Sequence, residues 1–362
     1  MKFSNRKRII SYTALALLVA CAVLSLTSCG VVIPTTQPTL TYTPNPTATV
    51  TQVPTSTPTA TPQPPVAVLL ASPQADQGWV NQLQTALNDI VVGASLRWQV
   101  RQQLTRTDLG PEVRLVVAVP PDPGLAELIS AAPNTQFFAL GLSGLEPAPN
   151  LTILDLDQRL DQQGFIAGFI AAMLSDDWRV GAISLSDTVA GKSARTGFLN
   201  GVVYFCGLCR PAHPPFYEYP LYIELPATAT SPEWQEAANY MVDHYAQSVY
   251  VYPSAGDAGM LSILADSKVN IISSGNPPNT AKSAWVVSLT TDALPLIQSE
   301  LAGLLDGSLS GGQTLLVPIQ FTQINPVVFT PGKQRLAQQV LSDLQSGFID
   351  TGVDLTTGEN KP

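Results

Sequence analysis

Val66-Ala67-Val68-Leu69-Leu70-Ala71, followed by a segment of helical period over 78–90, is the stretch on which the fold turns. A short, uninterrupted apolar run reads as a strand covered on both faces. The same texture repeats along the chain. Strands are expected at 96–103, 113–119, 135–140 and 151–155, then a helix over 158–174. A strand at 180–184, a helix at 191–205 and a strand at 221–225 follow. Beyond them come a helix at 234–245, a strand at 248–252, a helix at 260–265 and strands at 270–273 and 284–289. Helices over 293–307 and near 333–346 close the pattern. Strands alternating with helices imply parallel sheets flanked by helices, an α/β class. So many elements suit two lobes of ordinary domain size, with ligand taken up at the carboxyl ends of the strands. A single large α/β enzyme domain has the same periodicity and stays open at this point.

Upstream of Val66 the composition is different. Residues 30–65 hold 12 Thr and 9 Pro in 36 positions, with no charged side chain and one aromatic, Tyr42. Such a segment has too little to bury to offset its ordering entropy, so 29–65 reads as an extended tether. At about 3.1 Å per residue in polyproline II, it reaches up to ~110 Å. Before it, Lys2, Arg6, Lys7 and Arg8 precede an apolar run over 9–26, and small residues follow. A cationic start, an apolar centre and small residues before a cut describe a secretory signal over 1–28. Leu26-Thr27-Ser28-Cys29 resembles the bacterial lipobox, which implies that Cys29 is acylated and becomes the mature N-terminus. The alternative is an uncleaved signal anchor. Lipidation would place the chain on the outer face of a bacterial cell membrane.

Charge narrows the partners. Lys and Arg number 18 against 27 Asp and Glu, a formal net charge of −9, and only 12% of residues are charged. Removing 1–28 takes away four basic side chains and leaves 14 against 27, or −13. An acidic surface argues against nucleic acid and against direct adhesion to anionic lipid. Membrane attachment is therefore expected through the acyl anchor alone.

Several segments resemble the basic membrane protein family, lipoprotein substrate-binding components of ABC importers, many of them nucleoside receptors. Ala75-Asp76-Gln77-Gly78-Trp79-Val80-Asn81 is similar to that family's Asp-x-Gly-Trp-Asn opening after the first strand. Gly164-Phe165-Ile166-Ala167-Gly168-Phe169-Ile170-Ala171-Ala172 resembles its Tyr-Leu-Ala-Gly-x-x-Ala-Ala helix. Arg179-Val180-Gly181-Ala182-Ile183 and Gly197-Phe198-Leu199-Asn200-Gly201-Val202 are similar to its next strand and helix. The resemblance spans about 66–347 and implies a two-lobed type I periplasmic-binding-protein fold, with the chain crossing three times between lobes. On that basis 66–157 is expected to form the first part of lobe 1 and 158–275 lobe 2. Residues 276–362 are then expected to return to lobe 1 and close it.

The opening motif has chemistry of its own. Asp76 can accept hydrogen bonds from hydroxyls or an exocyclic amine, and it also suits a helix N-cap. Trp79 offers a flat face for stacking, worth about 1–3 kcal/mol in single-strand binders. Its other reading is a core aromatic. Asn81 both donates and accepts. A second cluster, Pro253-Ser254-Ala255-Gly256-Asp257-Ala258-Gly259, follows the strand at 248–252. The resemblance implies that this Gly-rich turn meets the ligand, through Ser254, Gly256 and Asp257; an ordinary strand-to-helix turn is the alternative. After the next strand the family has Gly-x-Asp, the acid implied to hold ribose hydroxyls, where this chain has Gly275-Asn276. Asn276 keeps the hydrogen bond and loses the charge. Lys282 falls where a family lysine sits and reads equally as a solvated surface residue.

Other motifs lead nowhere catalytic. Ser186-Asp187-Thr188-Val189-Ala190-Gly191-Lys192-Ser193 opens a helix as a phosphate loop would, but has Ser where the first Gly is required. Cys206-Gly207-Leu208-Cys209 in an oxidising compartment suits a local disulfide better than a redox centre. With His213 and His244 the only histidines, and Cys21 and Cys29 assigned to the export signal, no metal site is expected. No nucleophile elbow accompanies either histidine. The expectation is a monomeric binding protein, not an enzyme, without cofactor. It would carry a small polar ligand such as a nucleoside to an ABC permease. A sensor lobe pair and an exported hydrolase are the alternatives.

Overall fold

The computed structural model describes residues 64–362. The apolar start, Cys29 and most of the Thr/Pro-rich stretch lie outside the described residues. The chain runs through β1 (Val66–Leu70), α1 (Gln77–Gly93), β2 (Arg97–Arg101), β3 (Val113–Ala118), α2 (Leu125–Ala131), β4 (Gln136–Leu140) and β5 (Leu151–Asp155). Residues 156–159 then carry it across to α3 (Leu160–Leu174), β6 (Val180–Leu185), α4 (Val189–Cys206) and β7 (Leu221–Leu225). The same lobe continues with α5 (Ser231–Asp243), β8 (Ser248–Val251), α6 (Ala258–Asp266), β9 (Asn270–Ser273) and β10 (Trp285–Thr291). A second crossing at Asp292 leads back to α7 (Ala293–Asp306) and β11 (Gln313–Leu316). A third, at 317–318, returns the chain to β12 (Ile319–Thr322) and α8 (Pro331–Gln345).

Two six-stranded sheets result, ordered β11-β5-β4-β3-β1-β2 and β12-β10-β9-β8-β6-β7. Every pairing is parallel except that of β12 with β10. All five residues of β1 are buried, as a central parallel strand between two helical layers requires. One face of the first sheet packs Leu69, Leu115 and Phe138 against Leu83 and Leu87 of α1 and Leu301 of α7. The other packs Val68, Val116 and Phe137 against Leu125 and Leu128 of α2. A single continuous core serves the second lobe.

Glycine decides how the second lobe's first two helices meet. A Cβ on Gly164 or Gly168 of α3 would collide with the carbonyl oxygens of Ala194 or Phe198 on α4. One on Gly197 or Gly201 of α4 would collide with those of Asp161 or Phe165 on α3. The helices therefore touch backbone to backbone, and the small residues at four-residue spacing are there to permit it.

The chain returns to lobe 1 later than the sequence suggests, and only briefly. Residues 276–291 belong to the second lobe, because β10 continues its ladder beside β9. After β11 the chain leaves lobe 1 again. The closing elements sit on lobe 2, where Gln162 Nε2 of α3 donates to Leu344 O of α8 at 3.1 Å. Three short elements escape the sequence pattern. α2 has seven residues, and β11 and β12 are four-residue edge strands that are partly exposed, so none has a sustained period. α5 begins at Ser231, ahead of its apolar stripe, because Thr230 and Glu233 form a capping box.

The last residues strap lobe 2. Thr351 Oγ1 donates to Asp161 Oδ2 at 2.7 Å, and Thr196 Oγ1 donates to Gly358 O at 2.7 Å. Arg195 grips both carboxylate oxygens of Glu359, at 3.0 and 2.8 Å, and this holds the Glu359 carboxyl below its ordinary range. Cys206 and Cys209 are joined in a disulfide at the end of α4.

Candidate ligand site at the interlobe connections

Loops at the carboxyl ends of parallel strands gather where the chain passes between lobes. The β1–α1 loop ends at Asp76, whose Oδ1 accepts from Gly78 N at 2.8 Å and Trp79 N at 3.2 Å. Asp76 is thus the N-cap of α1, satisfying donors that the first turn would otherwise leave unpaired. Trp79, one turn in, is half-buried. It packs on the first lobe's core and also lines a cavity of ≈ 340 Å³.

That cavity takes a wall from every connection between the lobes. Leu156, Asp157 and Gln158 come from the first crossing, Thr291 and Ala293 flank the second, and Val317 lies in the third. A neighbouring cavity of ≈ 320 Å³, lined by Gly141, Ser143, Asp155 and Thr314 among others, shares Asp157 with it. The volume of the first lies at the small end of the ~300–1,000 Å³ typical of ligand pockets. Its lining offers an aromatic face, aliphatic walls and three polar side chains.

The other sequence-selected residues stand elsewhere. Asn81 is exposed on α1. Ser254, Gly256 and Asp257 follow β8, and Asn276 follows β9, so all four sit at the carboxyl edge of the second sheet. None of them lines the cavity beside Trp79. Gly256 has φ +84°, and a Cβ there would strike the side chain of Met260. Asp257 caps α6, its Oδ1 accepting from Met260 N at 2.8 Å. Hydrogen bonds from the Ser231 hydroxyl and from the Met260 and Gly259 N–H groups hold its carboxyl below the ordinary range. Asn276 Oδ1 accepts from Gln323 Nε2 at 3.0 Å. Lys282 is exposed.

Asp157, Gln158, Thr291 and Val317 have no local sequence signature. They become neighbours because three separate crossings converge, which only the sheet topology reveals. Thr188 caps α4, with Oγ1 accepting from Gly191 N at 3.0 Å, and the His244 ring stacks on Tyr240 at 3.9 Å between centroids. Among the described residues, no group of three or more His, Cys, Asp or Glu is placed to hold a metal ion.

No protein-family model matches the chain, and no curated protein matches it. Solved structures do. An ABC transporter system solute-binding protein from Conexibacter woesei matches with a TM-score of 0.51 at 20% identity, covering 80% of this chain and 98% of that one. A transcriptional activator of the comK gene from Bacillus halodurans matches with a TM-score of 0.46 at 15% identity, covering 78% and 98%. An ABC transporter system solute-binding protein from Aeropyrum pernix matches with a TM-score of 0.44 at 13% identity, covering 79% and 93%. Two parallel-dominated sheets, flanked by helices and joined by three crossings, make this a type I periplasmic-binding-protein-like fold.

Proposed function

We propose that this chain is a solute receptor that binds a small polar, ring-bearing ligand of nucleoside type between its lobes and delivers it to an ABC importer. The observation that carries the reading is the cavity built from Trp79 and all three interlobe connections. A ligand held there touches the segments that must bend when two lobes close, so binding and closure are coupled by construction. The fold shared with a protein described as an ABC solute-binding protein supports the same reading. The chain binds its ligand without transforming it, as a monomer anchored through acylated Cys29 on the outer face of the membrane. Ser254, Gly256, Asp257 and Asn276 meet the ligand from the second lobe on closure, while Asp76 caps the helix that carries Trp79.

Native mass spectrometry of protein purified without denaturant should show a bound small molecule that Trp79→Ala no longer carries. Loss of a stacked aromatic should weaken binding by about 1–3 kcal/mol. Trp79 is only half-buried, so the ligand-free variant should melt with a smaller loss than the ~3–5 kcal/mol of a fully buried aromatic. A full core-sized loss of stability with unchanged affinity would make Trp79 structural and remove the reading's main support.

Attachment is tested separately. Cys29→Ala should move the protein from the membrane fraction to the soluble one. Retention in the membrane would mean that the apolar run at 9–26 stays in place as a span.

A further inference from the structure

We infer that Asp157 is the carboxylate that reads the ligand, and that it selects uncharged or cationic ligands bearing hydrogen-bond donors while rejecting anionic ones. This deepens the reading above and rests on the Trp79 cavity being the ligand site. Two acids compete for the role. Asp76 has one oxygen committed to two backbone N–H groups at the start of α1, and it does not line the cavity. Asp157 does line it. Among the described residues the Asp157 carboxylate accepts no hydrogen bond and meets no cation; only its backbone N–H is engaged, with Asp155 Oδ1 at 2.8 Å. Gln158 and Thr291, its neighbours in the lining, likewise have side chains without a hydrogen-bond partner among the described residues.

The charged side chains that line the two cavities have one sign. Asp155 lies on the strand leading in and lines the adjoining cavity with Asp157. The nearest cation along the chain, Arg159, hydrogen-bonds Asp161, with Nε to Oδ1 at 2.9 Å and a terminal nitrogen to Oδ2 at 2.8 Å, and it lines neither cavity although its charge is felt by Asp155. A phosphate or carboxylate on the ligand would therefore meet the Asp157 carboxylate, which no cation pairs among the described residues, whereas an N–H or O–H donor gains a charge-assisted hydrogen bond. Trp79, Leu156 and Val317 suit the flat apolar part of the same molecule. Since Asp157 sits on the first crossing, the bond it forms acts directly on a segment that joins the lobes.

Calorimetric titration of the full chain with adenosine, guanosine and cytidine, each also as its 5′-monophosphate, tests this. The wild type should bind at least one nucleoside, and bind it about tenfold or more tightly than the matching monophosphate. Asp157→Asn should weaken that nucleoside roughly ten- to hundredfold and narrow the gap to the monophosphate. The residue is exposed, so the variant should keep its melting temperature. A nucleoside bound equally well by Asp157→Asn, or no better than its monophosphate by the wild type, overturns the assignment of Asp157 and leaves the receptor reading standing. Binding of none of the nucleosides by the wild type overturns the nucleoside reading itself, and this assignment with it.

Discussion

Gly201→Ala should cost the second lobe about 3 kcal/mol of stability, the upper end of what overpacking a well-packed core exacts. The added methyl group would be driven into the carbonyl oxygen of Phe165, a backbone atom of α3 that has no rotamer to escape into. Relief requires the two helices to separate. Their separation opens the contact of Phe165, Phe169 and Phe198 with the rest of the core. Gly164→Ala, against Ala194 on the facing helix, should behave alike. The double variant should lose less than the sum, because one separation of the helices relieves both collisions. Gly93→Ala is the control. It lies at the end of α1 with nothing within 4 Å of the new Cβ, and should be neutral or gain a few tenths of a kcal/mol, about 0.4–1 at most. Urea unfolding followed by circular dichroism distinguishes these outcomes; a Gly201→Ala midpoint equal to that of Gly93→Ala would show that α3 and α4 are not in backbone contact.

Asp161→Ala should be comparably damaging, for an electrostatic reason. Asp161 is fully buried, and burial alone would push its carboxyl up; the hydrogen bonds from Arg159 and Thr351 outweigh that and hold it below its ordinary value of 3.8. Removing one partner of a buried pair costs about 3–5 kcal/mol. The low end, about 3, applies because the Arg159 side chain remains 32% exposed and can turn to water. A carboxyl lowered on folding stabilises fully above its unfolded value and ceases to do so as pH falls through its folded value. The wild type should therefore lose stability below about pH 4, and Asp161→Ala should lose less over the same range, so that the two converge in acid. Urea midpoints measured from pH 7 down to pH 3 give the answer. A constant gap between the two proteins at every pH would mean that the ion pair contributes nothing.

Much of the lobe architecture is legible in the residues because burial on both faces leaves a strong mark. β1, β3 and β6 are near-continuous apolar runs, and α1 shows its stripe of Val80, Leu83, Leu87 and Val91. Caps are equally local: Asp76 and Asp257 each bind N–H groups two or three residues ahead, so sequence spacing suffices to find them. The glycines at four-residue spacing on α3 and α4 are plain in the sequence, and the structure supplies their cause in the backbone contact.

What the residues could not disclose is where the chain changes lobe and which side chains that brings together. β10 reads as a strand from its apolar run, but its membership of the second sheet is a matter of its partner, β9, and no periodicity encodes a partner. The same holds for Trp79 and its cavity. Asp157, Thr291 and Val317 lie far apart in sequence on segments with no pattern of their own, and they converge because three crossings pass through one place. Local physics, the burial of apolar periods and the capping of helix ends, is short-ranged and is written in neighbouring residues. The site is made of long-range contacts, whose positions follow only once both sheets have formed and their connections have been drawn together.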